Sequence, residues 1–353
     1  MPGHKGKGAL GIEQLDITEI IGADSLYEAN GIIAESEENA SELFGCPTFY
    51  STEGSSQCIR AMLYLICINA RDKRRRPLIL AGRNAHKTFI TAAAMLDCDV
   101  EWLCPENGES YLSCTVHPEK LSQKLTATTP DAVYITSPDY LGNVSDIKKL
   151  AQVCHRFGVP LLVDNAHGAY LKFLPESLHP IDLGADICCD SAHKTLPVLT
   201  GGAYLHISDT APESYANQAK NALAMFGSTS PSYLILQSLD LANQEIENCK
   251  SRIAQLAKNV KKAKETFAAN GFGLCGNEPL KITVCPKPVG YTGYEFADFC
   301  GSKDFVCEFA DSDYVVFMFS LNNGLHAPQK LAESVSDIPQ KAPLSSSAPD
   351  FHL

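Results

Sequence analysis

From residue 77 to residue 207, short apolar runs alternate with segments of helical spacing, and nothing else constrains the fold of this chain as strongly. Residues 77–81, 99–103, 131–136 and 160–163 read as strands, and 85–96, 117–125 and 146–157 as helices between them. Two more apolar runs, 185–189 and 202–207, extend the series. Short apolar runs bounded by turn residues fit buried strands, and their alternation with helices over short links predicts a parallel sheet covered on both faces. The expected class is therefore α/β, a mostly parallel sheet flanked by helices. At 353 residues the chain exceeds what one core sustains, about 250–300 residues, so a second domain is expected. A long helical pattern over 232–268 leads into strand-like runs at 280–285, 305–309 and 314–319, which predict a smaller α+β C-terminal domain. The boundaries expected are 1–245 for the large domain, 246–335 for the small one and 336–353 for a disordered tail. The glycine-rich start, 1–8, reads by itself as a flexible end. The acidic stretch through Glu35, Glu37 and Glu38 reads as disordered, with a short helix over 36–44.

Two strand ends carry chemistry. The run Val159-Pro160-Leu161-Leu162-Val163 delivers Asp164, followed by Asn165-Ala166-His167-Gly168. The run 185–189 delivers Ser191-Ala192-His193-Lys194-Thr195. In open parallel sheets, ligands sit at the carboxyl ends of strands. An acid and an amine on that rim suit pyridoxal phosphate, which takes an acid at its ring nitrogen and a lysine at its aldehyde. His167, on the same turn as Asp164, could orient it by hydrogen bond. His86 opens a helix after another strand and could stack on a ring. Gly54-Ser55-Ser56 opens a further helix, where unpaired N–H groups favour an anion, although a plain serine cap fits that turn equally well.

Composition narrows the partners. A net charge of −12 argues against a general nucleic-acid surface. The one basic cluster, Arg71-Asp72-Lys73-Arg74-Arg75-Arg76, reads as a solvated loop between a helix and a strand. Apolar runs fall short of the roughly 18 residues a membrane helix needs, and no secretory leader is visible, so a cytoplasmic protein without membrane contact is expected. None of the 14 cysteines forms a Cys-x-x-Cys pair, and no metal site is expected. Cys67, Cys98, Cys188, Cys189 and Cys285 lie in apolar segments and read as small buried hydrophobes.

Five stretches resemble the Orn/Lys/Arg decarboxylase family, pyridoxal-phosphate enzymes of fold type I. They are Met1-Pro2-Gly3-His4-Lys5-Gly6, Arg83-Asn84-Ala85-His86-Lys87, Val163-Asp164-Asn165-Ala166-His167-Gly168-Ala169, Ser191-Ala192-His193-Lys194-Thr195-Leu196 and Ser228-Thr229-Ser230-Pro231-Ser232-Tyr233. The resemblance covers roughly residues 1 to 245. It implies Lys194 as the covalent lysine, Asp164 as the partner of the ring nitrogen, His86 as the stacked residue and His167 as a cofactor neighbour. Gly54, Ser55, Ser56, Ser191 and His193 become phosphate ligands, and Thr229 a candidate for reaching the phosphate of a partner subunit in a homodimer or larger homo-oligomer. The opening loop, Pro2 to Lys5, would lie near the site, and Met1 would be an internal methionine. Asn165 stands where the family usually carries Glu, and Gly201-Gly202 where amino-acid decarboxylases often carry Gln. The implied activity is decarboxylation of lysine, ornithine or arginine. Another fold type I reaction (an aminotransferase, lyase or aldolase) and a shortened non-catalytic paralogue are the alternatives.

Overall fold

The computed structural model describes residues 2–105 and 110–345; Met1 and the last eight positions of the expected tail lie outside the described residues. Within the chain two compact units separate. The first comprises residues 2–104, 116–137 and 146–247; the second takes the described residues of 105–115, 138–145 and 248–345.

In the first unit the expected alternation forms one sheet. Its strands are β1 (Thr48–Ser51), β2 (Leu78–Gly82), β3 (Asp99–Leu103), β4 (Ala132–Thr136), β5 (Leu161–Asp164), β6 (Ile187–Asp190) and β7 (Ala203–Ile207), in the order β1-β7-β6-β5-β4-β2-β3. Strands β3, β2, β4, β5 and β6 are parallel neighbours, and β7 runs antiparallel between β6 and β1. The helices of this unit are α1 (Ile32–Phe44), α2 (Ser55–Ile68), α3 (Lys87–Met95), α4 (Pro118–Ala127), α5 (Ile147–Arg156), the short α6 (Ala192–Thr195) and α7 (Glu213–Ala224). Strand residues alternate between two cores, as a period of two requires. Tyr134, Leu162, Ile187 and Cys189 pack into one core with residues of α2, α3 and α7. Val133, Ile135, Leu161, Val163 and Cys188 pack into the other with α4 and α5. Burial on both faces explains why these strands read as continuous apolar runs.

The expected disorder around Glu35 to Glu38 is corrected: all three glutamates lie in α1. Asp24, at φ 64°, accepts the N–H groups of Gly31, Ile33 and Ala34 on Oδ2, so the orphan donors at the start of α1 are satisfied by a residue upstream. These backbone donors outweigh burial and hold the Asp24 carboxyl at about 2. Glu37 is buried, pairs with Lys220 at 2.5 Å and accepts the Tyr50 N–H. One glutamate of the acidic stretch is thus held by specific partners. The opening residues also fold: the Gly6 N–H donates to His4 Nδ1, and His4 Nε2 meets Asp16 at 3.1 Å.

Helix α8 (Tyr233–Ala269) begins in the first unit and ends in the second. The second unit holds an antiparallel sheet of β8 (Gly273–Cys275), β9 (Lys281–Cys285), β10 (Phe309–Ala310) and β11 (Val315–Met318), in the order β10-β11-β9-β8, with α9 (Gly293–Gly301) and α10 (Ala327–Ser334). Of the run expected as a strand at 305–309, only Phe309 is paired. Residues 138–145 join this unit through Lys281, whose buried ammonium pairs with Glu278 at 2.9 Å and donates to the Asp139 carbonyl. Part of the expected disordered tail is ordered: Ile338 is buried, and the Lys341 and Leu344 N–H groups donate to the Val289 and Lys287 carbonyls. Among the described residues no helix is long and apolar enough to cross a membrane.

Candidate active site

The residues singled out by sequence come from separate strand ends of the first unit. Asp164 closes β5 and is 2% exposed. Burial pushes its carboxyl above the ordinary value, while the Ala166 N–H, the Tyr134 hydroxyl and the Lys194 and His86 charges pull the other way. Tyr134 Oη donates to Oδ2 at 3.0 Å, and the Ala166 N–H donates to Oδ1 at 3.2 Å. Beside these donors, His167 Nε2 meets Lys194 Nζ at 3.0 Å. The contact puts an imidazole nitrogen within hydrogen-bond reach of the amine.

Tyr134 escaped the sequence reading because an apolar-flanked Tyr inside a strand looks like core. The only signal was position: β4 neighbours β5, with Tyr134 registered on Leu162. Tyr134→Phe keeps the packing and removes the donor. A hydrogen bond to a charged group is worth about 1.5–3 kcal/mol, so the variant should raise the Asp164 pKa further. The limb of the pH–rate profile that requires anionic Asp164 then moves to higher pH by about one unit or more. An unmoved limb in the variant's pH–rate profile would refute this coupling.

His86 caps α3, and its Nδ1 accepts the Thr88 N–H. A ring nitrogen that accepts a backbone proton carries none, so the proton of a neutral His86 sits on Nε2. Burial lowers its pKa, with the Asp164 charge opposing and the Lys194 and Lys87 charges adding to the shift. Thr88, also missed in sequence, links the two helix starts: its Oγ1 lies 3.2 Å from Ser56 Oγ and 3.0 Å from His86 Nδ1.

The turn expected to take an anion opens α2. Gly54 has φ 72° and ψ 179°, a conformation essentially confined to glycine. Ser191 Oγ donates to Ser55 Oγ at 2.8 Å, joining the β6 end to the α2 start. His193 donates from Nδ1 to the Gly202 carbonyl at 3.0 Å, and a Cβ at Gly54 would meet its ring at 3.9 Å. Gly201, at φ 102°, takes the Gly54 N–H on its carbonyl, and a Cβ there would meet the Thr52 carbonyl oxygen at 2.7 Å. The glycines at 201 and 202 thus serve close backbone packing beneath the anion turn. Thr229 is exposed in the turn after α7, and its neighbour Ser228 donates its N–H to Glu53, one residue from Gly54. The structure therefore brings Gly54, Ser55, Ser56, Ser191 and His193 together. It brings Asp164, His167, His86 and Lys194 together as a second group, and Thr88 joins Ser56 of the first to His86 of the second.

Beneath both groups lies a buried polar network that sequence did not reveal. Asp190 Oδ2 accepts from His179 Nε2 at 3.0 Å and His206 Nε2 at 3.2 Å, and Oδ1 accepts from Asn165 Nδ2 at 2.6 Å. Burial opposes the charge on Asp190, but the two imidazoles and their hydrogen bonds win and hold the carboxyl well below the usual range. This explains Asn165: a carboxylate in its place would face Asp190 in a site closed to water, where two like charges cannot both ionise. Asn165→Asp should therefore destabilise the fold at neutral pH by about 3 kcal/mol. The new carboxyl would have a raised folded-state pKa, so its contribution is restored below the unfolded value and lost as pH rises through the folded one. Urea unfolding should show the gap from the parent shrinking on acidification; a pH-independent gap would exclude charge repulsion as the cause. Cys188 adds a third donor type, and His179, Cys188 and Asp190 lie close enough together to share a metal ion. Here His179 and Asp190 stand at hydrogen-bond distance, and burial pushes the Cys188 thiol far up.

Comparison with known proteins follows the same lines. Residues 11–287 match the family model for the major domain of Orn/Lys/Arg decarboxylases. The protein YaaO of Bacillus subtilis is 29% identical over 343 residues, covering 93% of this chain and 70% of its own. An arginine decarboxylase of the same organism is 28% identical over 375 residues, covering 97% of this chain and 74% of its own. The solved lysine decarboxylase LdcF of Francisella novicida superposes with a TM-score of 0.78 at 19% identity, over 95% of this chain and 56% of that one. The chain thus spans little more than half of that structure's length. The mostly parallel seven-stranded sheet with its smaller antiparallel companion is the fold type I architecture.

Proposed function

Because the chain belongs to the Orn/Lys/Arg decarboxylase family, we propose that it binds pyridoxal phosphate and removes the α-carboxylate of a basic amino acid: lysine, ornithine or arginine. The observation that carries this reading is the meeting of Lys194 Nζ with His167 Nε2 beside the buried Asp164, with His86 in the field of both charges. The donor set fits the cofactor part by part. An acid suits the ring nitrogen, an amine the aldehyde, a neutral imidazole the ring face, and serine hydroxyls at a helix start the phosphate.

When bound, the cofactor supplies a ring that takes up the electron pair left on the substrate α-carbon as carbon dioxide departs. The chain's own residues do the rest. Asp164, held by Tyr134 and the Ala166 N–H, keeps a proton at the ring nitrogen. Lys194 is the covalent anchor, and His167 is placed to hold its proton when the amine must be neutral. Ser55, Ser56, Ser191 and His193 hold the phosphate, with Thr229 positioned to serve a second subunit. Exposed apolar side chains in the N-terminal segment (Leu10, Leu15, Ile21 and Ile32) suit contact with a second copy, in keeping with a homodimer. A reduced cytoplasmic setting goes with this reading.

Incubation of cofactor-loaded protein with lysine, ornithine and arginine in turn should release carbon dioxide and the matching amine from at least one. Absence of release from all three, with a keto acid formed from an amino donor instead, would assign the site to transamination.

A further inference from the structure

Outside the cofactor site, one pair of thiols is in contact. Cys67, in the last turn of α2, and Cys98, in the turn between α3 and β3, have their sulfurs 3.3 Å apart. Both were expected to be buried hydrophobes; both are half-buried, within reach of a small oxidant. We propose that Cys67 and Cys98 form a reversible disulfide when the protein meets a peroxide.

The surroundings support this beyond proximity. A disulfide needs its sulfurs at about 2.05 Å, so closure asks for a shift of roughly an ångström, within side-chain rotation. The Cys98 hydrogen bond holds the Cys67 thiol below its usual range, against burial and the Asp131 charge, with the Lys73 ammonium assisting. Lys73 is fixed there, because its Nζ donates to the carbonyls of Cys67 and Ile68 at the end of α2. Arg76 pairs with Asp97 at 3.2 Å and lies 3.7 Å from Asp99, pinning the residues on both sides of Cys98. The basic cluster that plays no part in the proposed catalysis therefore organises this pair. The hydrogen bond between the two thiols, with burial, pushes the Cys98 thiol up, so Cys67 is the sulfur that attacks first; burial pushes the thiols of Cys46, Cys58, Cys154 and Cys300 up to about 12, where thiolate is scarce and attack is slow.

The chemistry closes with a peroxide alone. The Cys67 thiolate attacks one peroxide oxygen; an S–O bond forms, the O–O bond breaks, and the hydroxide released takes up the proton Cys67 gave. Cys98 then attacks the oxidised sulfur. The S–S bond forms, the S–O bond breaks, and that oxygen leaves as a second water with the Cys98 proton. Two thiols are oxidised and one peroxide is reduced. The bond would tie the far end of α2, whose start carries Ser55 and Ser56, to the exit of α3, whose cap is His86.

The test uses the whole reduced chain, treated with hydrogen peroxide, alkylated with N-ethylmaleimide and digested without reductant. The expected result is a linked peptide pair containing Cys67 and Cys98, the loss of two alkylatable thiols, and their recovery with dithiothreitol. In Cys98→Ser the link disappears and Cys67 is trapped by dimedone as its sulfenic acid. Full alkylation of Cys67 and Cys98 in the parent while the exposed Cys104 is oxidised would overturn the proposal. So would recovery of Cys67 as sulfinic acid without any linked peptide. The mapping of the parent protein decides the matter even if the variant does not fold.

Discussion

Lys194→Ala should leave the protein colourless after addition of pyridoxal phosphate and lower decarboxylation by at least about a thousandfold, near the upper range for loss of a positioned proton-transfer group. The expectation rests on geometry. Lys194 Nζ is the amine that meets His167 Nε2, three residues after a fully buried carboxylate, in the short helix that follows β6. Lys87 is a rival, because its charge also bears on His86 and lowers the pKa of the same imidazole. Borohydride reduction of the loaded parent followed by peptide mapping discriminates between them. The cofactor mass should appear on the peptide containing Lys194 and vanish in the variant. If it stays, on the Lys87 peptide, the assignment of the anchor is wrong even though the fold is right.

The large architecture was legible because each layer of the sheet leaves a mark in sequence. Strands buried on both faces must be apolar throughout, and their covering helices must carry a stripe, so 131–136 and 202–207 could be placed to within a residue of β4 and β7. The candidate site was legible in part, since Asp164, His86 and Lys194 stand at or after strands that could be seen. What stayed hidden depends on contacts between segments distant in sequence. Tyr134 looks apolar until β5 lies beside it. The Asp190 network joins residues 165, 179, 190 and 206, and nothing local marks them as partners. Asn165 is the instructive case: sequence marks it only as a departure from a family pattern, and next to Asp190 it is a neutral donor. Glu37 shows the same limit on the other side, because sequence cannot say that Lys220 and the Tyr50 N–H will satisfy it.

Asp164→Asn separates function from stability at the buried acid that ends β5. The amide keeps the shape: its single oxygen can keep the Ala166 N–H, while its NH2 faces Tyr134 Oη, whose hydroxyl must turn to accept instead of donate. It cannot become an anion, and a neutral side chain holds no proton at a ring nitrogen. The rate should fall by about 10²–10⁴-fold, and the cofactor should bind more weakly. Stability without cofactor should move the other way. Burial raises the Asp164 pKa in the folded state, so its contribution to stability is complete below the unfolded value and declines as pH rises through the folded one. Asparagine is free of that decline. The cofactor-free variant should therefore melt at or above the parent at neutral and alkaline pH, and the two curves should converge on acidification, where both side chains are neutral. A residue retained for packing would show the opposite, a variant less stable at every pH. A carboxylate that the empty fold holds at a cost, and that the reaction needs, is what a cofactor partner should look like in a protein measured without its cofactor.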